Sequence, residues 1–225
     1  MKHILDNPAW SALTSGNKNL SNGSDTVKYF NKDVSPFVGF KENNEESFDQ
    51  LYQLITQERT LGFISPDEVD IPAAWEVILA LPCFQMIYAG EVAQPDAAIK
   101  IVPLTDSHIP QMLALTQLTN PGPFAERTID FGHYYGVFDK DQLVAMAGQR
   151  MHIFNYAEIS AVCTHPDHLG RGYAKALLQY QANRILNAGD TPMLHVRFDN
   201  HRAVQVYESL GFYKRKEIFF YIIKK

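Results

Sequence analysis

The second half of the chain has a regular pattern of apolar positions that predicts alternating strands and helices. Alternating and β-branched stretches predict strands at residues 99–104, 134–138, 143–153 and 157–164, and one from Pro192. Helical spacing and capping residues predict helices at residues 105–118 and 174–187, and one from Asn200. A final strand starts at Phe212. The predicted order is strand, helix, three strands, helix, strand, helix, strand.

The first half has shorter apolar segments and predicts an α/β region. Its predicted helices are a short one capped by Asp6, residues 44–56 and residues 75–81. Its predicted strands are residues 27–30, 37–40, 61–64 and 84–88. Residues 15–25 are rich in Ser, Asn and Gly and predict a mobile loop. The segment 91–96, which contains Pro95, is the predicted boundary between an N-terminal region, residues 1–95, and a C-terminal domain, residues 96–225.

A glycine-containing segment joins a predicted strand to a predicted helix at residues 158–174. Gly170 and Gly172 allow a tight turn just before the helix. The first N–H groups of a helix lack intrahelical partners and lie at the positive end of its dipole. The segment therefore predicts a site for an anion with several oxygens. A Walker loop is absent from the sequence, and Lys175 stands where a dinucleotide fingerprint needs a third small residue.

This segment resembles motif A of the GCN5-related N-acetyltransferases (GNAT). The family pattern Gln/Arg-x-x-Gly-x-Gly/Ala falls on Leu169, Gly172 and Ala174, with Leu169 in place of the usual polar residue. The segment from Pro192 to Phe212 resembles motif B, with Asn-x-x-Ala-x-x-x-Tyr followed by Gly-Phe. The matching positions are Asn200, Ala203, Tyr207, Gly211 and Phe212. The resemblance covers residues 96–225 and is close to the branch that includes the C-terminal domain of glycine N-acyltransferases.

The resemblance implies an α/β (α+β) fold with a mixed central sheet flanked by helices, preceded by an N-terminal α/β region that is a degenerate second copy. It also implies acetyl-CoA or another acyl-CoA as co-substrate, with no metal. The implied pyrophosphate-binding residues are Leu169, Gly170, Arg171, Gly172, Tyr173 and Ala174. The backbone of Val162 and Thr164 would bind the pantetheine arm by extending the sheet. Asn200 would bond the same arm, cap its helix, or do both, and the alternative for Arg171 is plain solvent exposure.

Two side chains are candidates for catalysis under this resemblance. Acyl transfer to an amine requires removal of a proton from the amine and a proton for the leaving thiolate. Glu158 is the candidate base, because strand alternation puts it on one face with Val162 and Thr164 and some family members use a glutamate there. Its alternative is a solvated or hydrogen-bonded strand glutamate. Tyr207 is the candidate donor to the thiolate, and its alternative is a core tyrosine.

Composition and charge argue against several other classes of protein. The formal charge of −5 at pH 7 opposes nonspecific binding to nucleic acid. No apolar run approaches the roughly 18 residues that a membrane span needs. Two cysteines, Cys83 and Cys163, and no signal-like N-terminus lead us to expect a reducing, cytoplasmic setting. A metal site at Cys163, His165 and His168 is not expected, since no fourth ligand is evident.

The sequence therefore predicts a cytoplasmic N-acyltransferase that moves acetyl from acetyl-CoA to a primary amine by direct attack in a ternary complex. The expected acceptor is a small-molecule or peptide amine, with neither nucleic acid nor membrane as partner. Candidate acceptor-loop residues are Gln117, Phe124, Glu126 and Arg127, which are equally compatible with an ordinary loop. A catalytically silent acyl-CoA sensor and a nucleotide-binding protein are the competing classes.

Overall fold

The structure is a computed structural model that describes residues 3–92 and 98–225. Its α-helices are α1 (Pro8–Thr14), α2 (Glu45–Leu54), α3 (Ile109–Thr119), α4 (Tyr173–Asn187) and α5 (His201–Ser209). Its strands are β1 (Ser21–Gly23), β2 (Val27–Phe30), β3 (Phe37–Phe40), β4 (Thr60–Ser65), β5 (Glu76–Tyr88), β6 (Val102–Pro103), β7 (Tyr135–Asp139), β8 (Gln142–Ile153), β9 (Tyr156–Thr164), β10 (Thr191–Arg197) and β11 (Phe212–Lys224). Short 3₁₀ turns include Ile4–Asp6, Lys18–Leu20 and Pro166–His168.

All the described strands belong to one mixed sheet in the order β1-β2-β3-β4-β11-β5-β10-β9-β8-β7-β6. The pairs β3/β4 and β9/β10 are parallel, and the other neighbours are antiparallel. Helices flank this sheet, so the predicted fold class is confirmed. No helix within the described ranges combines the length and hydrophobicity that a membrane-spanning segment needs.

The last strand of each half of the chain lies in the other half of the sheet. β5 lies between β10 and β11, and it pairs with β11 from Phe212↔Tyr88 to Lys224↔Glu76. β11 in turn lies between β4 and β5. Residues 76–88 therefore complete the sheet of the C-terminal half, although the predicted boundary follows them. Part of that boundary, residues 93–97, lies outside the described residues.

The two halves share one order of elements. β1, β2 and β3 are antiparallel neighbours, and α2 leads to β4, which is parallel to β3. β7, β8, β9, α4 and β10 repeat this arrangement. The repeat supports the proposal that the N-terminal region is a degenerate second copy of the fold.

Two apolar cores lie on opposite faces of the second half of the sheet. The core under α4 and α5 includes Ile159, Leu178, Ile185, Leu194, Val204 and Phe212. The core on the other face is covered by α1, α3 and segments of the first half, and it includes Leu13, Phe37, Met112, Met146, Cys163 and Met193. β8 is buried along almost its whole length, as expected for a strand covered on both faces.

Most predicted elements are confirmed, but four expectations in weakly patterned segments are wrong. Residues 76–81 of the predicted helix 75–81 belong to β5 instead, because β11 provides a strand partner from Glu76 onward. Asp6 does not cap α1; its carboxylate accepts from the His3 N–H and pairs with Arg215. The predicted loop 15–25 contains a 3₁₀ turn and β1. Of the predicted strand 99–104, only Val102–Pro103 is strand.

Candidate active site

The neighbouring strands β9 and β10 separate to form a wedge. They pair only from Tyr156↔Thr191 to Glu158↔Met193. Beyond that point β9 continues to Thr164, whereas β10 pairs with β5 on its other side. The edge of β9 after Glu158 is therefore not paired with β10, and the backbone amides on that edge face the gap, whereas those on the other edge pair with β8.

A β-bulge at Ala161 changes the direction of the side chains along this free edge. The register between β8 and β9 shifts between Met146↔Cys163 and Gly148↔Ser160, and Ala161 has φ of 53°. Val162 consequently packs on the α4 and α5 side, whereas Ala161 and Cys163 belong to the core on the opposite face. The prediction that Glu158 shares a face with Val162 is therefore wrong, because strict alternation does not survive the bulge.

The end of β9 leads into a glycine loop that stops at an open helix N-terminus. Gly170 and Gly172 have φ of 78° and 79°, the left-handed region that favours glycine. Gly172 precedes α4, and no side chain of the described residues caps the helix there. Among those residues, a Cβ atom added at Gly170 would have no atom within 4 Å, and one added at Gly172 would meet only Ile99 Cδ1 at 3.9 Å. Within the part of the chain that the structure describes, the N–H groups of the first turn of α4 thus face open space.

Other residues around the loop are placed as follows. Leu169 is about half exposed, and its N–H makes a long bond, 3.4 Å, to the Pro166 carbonyl. Arg171 is exposed. A hydrogen bond from His168 lowers the pKa of the Asp139 carboxyl. The positive charge of Arg171 lowers the same pKa further. The Thr164 hydroxyl is buried without a hydrogen-bond partner among the described residues. An orphaned hydroxyl at this position fits a ligand that passes along the edge of β9.

Helix α5 follows β10 and packs on the same core as α4. Its cap is Asn200, whose Oδ1 accepts from the Ala203 N–H at 3.2 Å, so the capping alternative is confirmed. Tyr207 packs against the same core as Val162, and its ring meets Phe212 edge to face. Burial raises the pKa of Tyr207 to about 12, which keeps the hydroxyl protonated.

Glu158 is completely buried and holds two cationic or polar partners. Arg150 donates from Nε to Oε2 at 2.9 Å and from Nη2 to Oε1 at 2.5 Å. His195 Nδ1 lies 2.6 Å from Oε1. Burial alone would raise the pKa of Glu158, but the Arg150 charge, aided by His195, holds it far below its usual range. A carboxylate with so low a pKa is a weak base, and this one does not reach solvent. Direct proton abstraction by Glu158 therefore has no geometric support.

Comparison with known proteins identifies the family. The model of the family described as FR47-like protein matches residues 134–221. A protein from Novosphingobium aromaticivorans, described as an acetyltransferase of the GNAT family, is 32% identical, with 99% of this chain and 98% of that chain covered and a TM-score of 0.91. The chain belongs to the GNAT family. No curated protein matches it.

More distant solved structures share the GNAT fold. A GCN5-related N-acetyltransferase from Kribbella flavida has 11% identity and a TM-score of 0.65, with 94% of this chain and 93% of that chain covered. A GCN5-related N-acetyltransferase from Sphaerobacter thermophilus has 13% identity and a TM-score of 0.53, with 89% and 76% covered. The GNAT fold therefore extends over both halves of the chain, which the sequence motifs alone do not cover.

In this GNAT protein, Tyr134, which the sequence patterns did not single out, and Phe124 of the predicted acceptor loop belong to the core covered by α1 and α3. Tyr134 is buried, which raises its pKa, and its ring lies where a Cβ at position 148 would come within 2.1 Å, so only glycine fits there. Phe124 packs edge to face on Tyr134, so the predicted acceptor loop closes over this face of the sheet. Arg127 in the same loop donates its N–H to the Asp33 carbonyl. Gln117 and Glu126 are exposed.

The cysteines of this GNAT protein are unsuited to nucleophilic catalysis. Burial raises the pKa of Cys83 to about 12 and that of Cys163 to about 11. His165 and His168 contact nearby aspartates, at Asp167 and Asp139 respectively. Within residues 3–92 and 98–225, no group of three His, Cys, Asp or Glu side chains is arranged to hold a metal ion.

The low pKa of Glu158 predicts a specific loss of stability in acid. Its contribution is complete above its unfolded pKa, near 4.5, and is lost as the pH falls toward the lower folded-state pKa. The free energy of unfolding of the wild type should thus drop, through this group, by about 1.4 kcal/mol per pH unit below roughly pH 4.5. Urea unfolding of wild type and Glu158→Gln at several pH values measures it. The difference between the two proteins should shrink in acid; a constant difference would contradict the ion-pair account.

Proposed function

We propose that this chain is an acyl-CoA-dependent N-acyltransferase that transfers acetyl from acetyl-CoA to a primary amine by direct attack. The carrying observation is that a free strand edge and an uncapped helix N-terminus meet at one wedge. Amide groups along residues 159–164 suit the amides of a pantetheine arm, and the loop 169–174 suits a pyrophosphate. The free cysteines fit a reducing compartment, and we place the protein in the cytoplasm.

Acetyl-CoA would supply an activated acyl group, and the protein must then manage two protons. A lysine-like amine with a pKa of about 10.4 costs more than about 4 kcal/mol to deprotonate at neutral pH. The role of Glu158 as the base stays a prediction. Its burial and its bonds to Arg150 and His195 make proton abstraction by this carboxylate less favourable. Tyr207 remains the proposed donor to the thiolate. Because burial raises its pKa to about 12, it is a weak acid, and its proposed help is a hydrogen bond from the protonated hydroxyl to the developing thiolate.

Replacing Tyr207 with phenylalanine tests this assignment. The ring and its contact with Phe212 are kept, and only the hydroxyl is lost. We expect kcat to fall about 10- to 1000-fold while the Kd for CoA changes little, because the hydrogen bond to the leaving thiolate forms only in the transition state. Steady-state kinetics and calorimetry measure both. A structural tyrosine would instead give a lower melting temperature with a wild-type kcat, which would contradict the role.

The test of the proposed activity is release of CoA thiol from acetyl-CoA in the presence of an amine panel. The panel contains glycine and other amino acids, small diamines, a peptide with a free N-terminus, and an N-terminally blocked peptide with one lysine. Thiol release that depends on one amine class, with the acetylated product found by mass spectrometry, is the expected result. Tight CoA binding with no turnover of any amine in the panel would favour the alternative, a catalytically silent acyl-CoA sensor.

A further inference from the structure

A side-chain bridge crosses the two strands at the point where they separate. Glu158 and Met193 are the last paired residues of β9 and β10. His195 lies two residues farther along β10, so its side chain is on the same face as that of Met193. The His195 Nδ1 to Glu158 Oε1 distance of 2.6 Å thus joins β10 to β9 where no backbone pairing between them follows among the described residues.

The hydrogen-bond partners of His195 fix which ring nitrogen carries its proton. Arg215 Nε can only donate, so the Gln85 atom 2.6 Å from it is the amide oxygen. The Gln85 amide nitrogen then donates to the Leu5 carbonyl and to His195 Nε2, both at 2.9 Å. His195 Nε2 is therefore an acceptor, and Nδ1–H donates to Glu158.

The bridge is shielded from water on every side. Glu158 and Gln85 are fully buried, and the His195 side chain is 2% exposed. The ring of Phe220 packs edge to face on His195, and the Arg150 guanidinium lies 4.7 Å from the centre of the Phe37 ring. Few water molecules can compete for these hydrogen bonds, so the side-chain geometry is well defined.

We propose that His195 and Glu158 form a latch that fixes the angle between β9 and β10 and thereby sets the width of the wedge for the acyl thioester. The effect of the latch on binding of the acyl thioester rests on the proposed function, whereas the bridge between His195 and Glu158 does not. Both are positioning residues. Arg150 holds Glu158 from β8, and Gln85 holds His195 from β5, so the first half of the chain contributes to the geometry of the wedge.

Amide hydrogen exchange on the free protein tests the latch without any ligand. His195→Leu removes the bridge, whereas His195→Asn places an amide N–H near the Nδ1 position and keeps the bond to Glu158. We expect faster exchange at residues 159–164 and 193–197 in His195→Leu and near-wild-type exchange in His195→Asn. Should His195→Leu fail to fold, His195→Gln, whose amide lies near the Nε2 position, also loses the Glu158 bond. Wild-type exchange in the bridge-free variant would overturn the latch.

Calorimetric titration with CoA then tests the effect on the wedge. We expect CoA affinity to fall about 10-fold or more in the bridge-free variant and to stay within about 3-fold of wild type in His195→Asn. Equal affinity in both would overturn the wedge role. If wild type itself binds no CoA, the proposed function fails, while the exchange experiment still decides whether the latch exists.

Discussion

Replacing Gly172 with aspartate is expected to lower the affinity for CoA about 100-fold or more. The new carboxylate would project into the space before α4, where, among the described residues, an added Cβ meets only Ile99 Cδ1 at 3.9 Å. Two like charges about 4 Å apart near a protein surface repel by about 4 kcal/mol. Aspartate and asparagine tolerate the left-handed backbone of position 172 better than most residues other than glycine, so the fold should persist. Calorimetric titration with CoA measures the loss.

The matched control is Gly172→Asn, which has the same shape and the same strain at φ of 79° but no charge. It should cost less than about 10-fold in affinity, because only capping and strain are changed. An equal loss in both variants would assign the effect to strain rather than to repulsion. Unchanged affinity in a folded Gly172→Asp protein would contradict the placement of pyrophosphate on this loop.

Deleting residues 1–92 is expected to abolish cooperative folding of the remainder. The deletion removes β4 and β5, which are the two strands that pair with β11, and it uncovers the core that contains Met112 and Met146. An unpaired apolar strand and an exposed core both favour aggregation. Gel filtration and thermal unfolding of the fragment 93–225 measure this. A soluble, cooperatively folded fragment with full turnover would contradict it.

The control for that deletion is the same chain produced as two separate fragments that together keep all the described strands. Residues 1–92 and 98–225, produced together, should copurify and fold, because β5 inserts between β10 and β11 whether or not the chain is continuous. Recovery of CoA binding in the paired fragments, and not in the C-terminal fragment alone, would assign the loss to the missing strand. Fragments that do not associate would contradict the sheet order in which β5 lies between β10 and β11.

Local signals made the glycine loop and the second half of the fold predictable. Gly170 and Gly172 permit the left-handed backbone that a tight turn before a helix needs, and the spacing from Asn200 to Tyr207 indicates a helix. The long apolar run of β8 and the β-branched residues of β9 likewise sufficed to predict two strands.

Features that depend on distant partners were not predictable in this way. Residues 76–81 carry apolar side chains that suit either a helix or a strand, and β11, more than 130 positions later, decides between them. The bulge at Ala161 leaves no mark in the sequence, so the face of Glu158 was assigned wrongly. The chain of hydrogen bonds that runs from Arg150 through Glu158 and His195 to Gln85 exists only because four neighbouring strands bring these residues side by side.

A structure of the protein with bound CoA would show where the cofactor lies. We expect one CoA per chain, with pantetheine along residues 159–164 of β9 and pyrophosphate on the loop 169–174 at the start of α4. The corresponding turn before α2 is already capped by the Asn44 side chain and carries Glu45 and Glu46, so no phosphate should bind there. CoA seated elsewhere, or a wedge between β9 and β10 that stays empty at saturating CoA, would contradict the account.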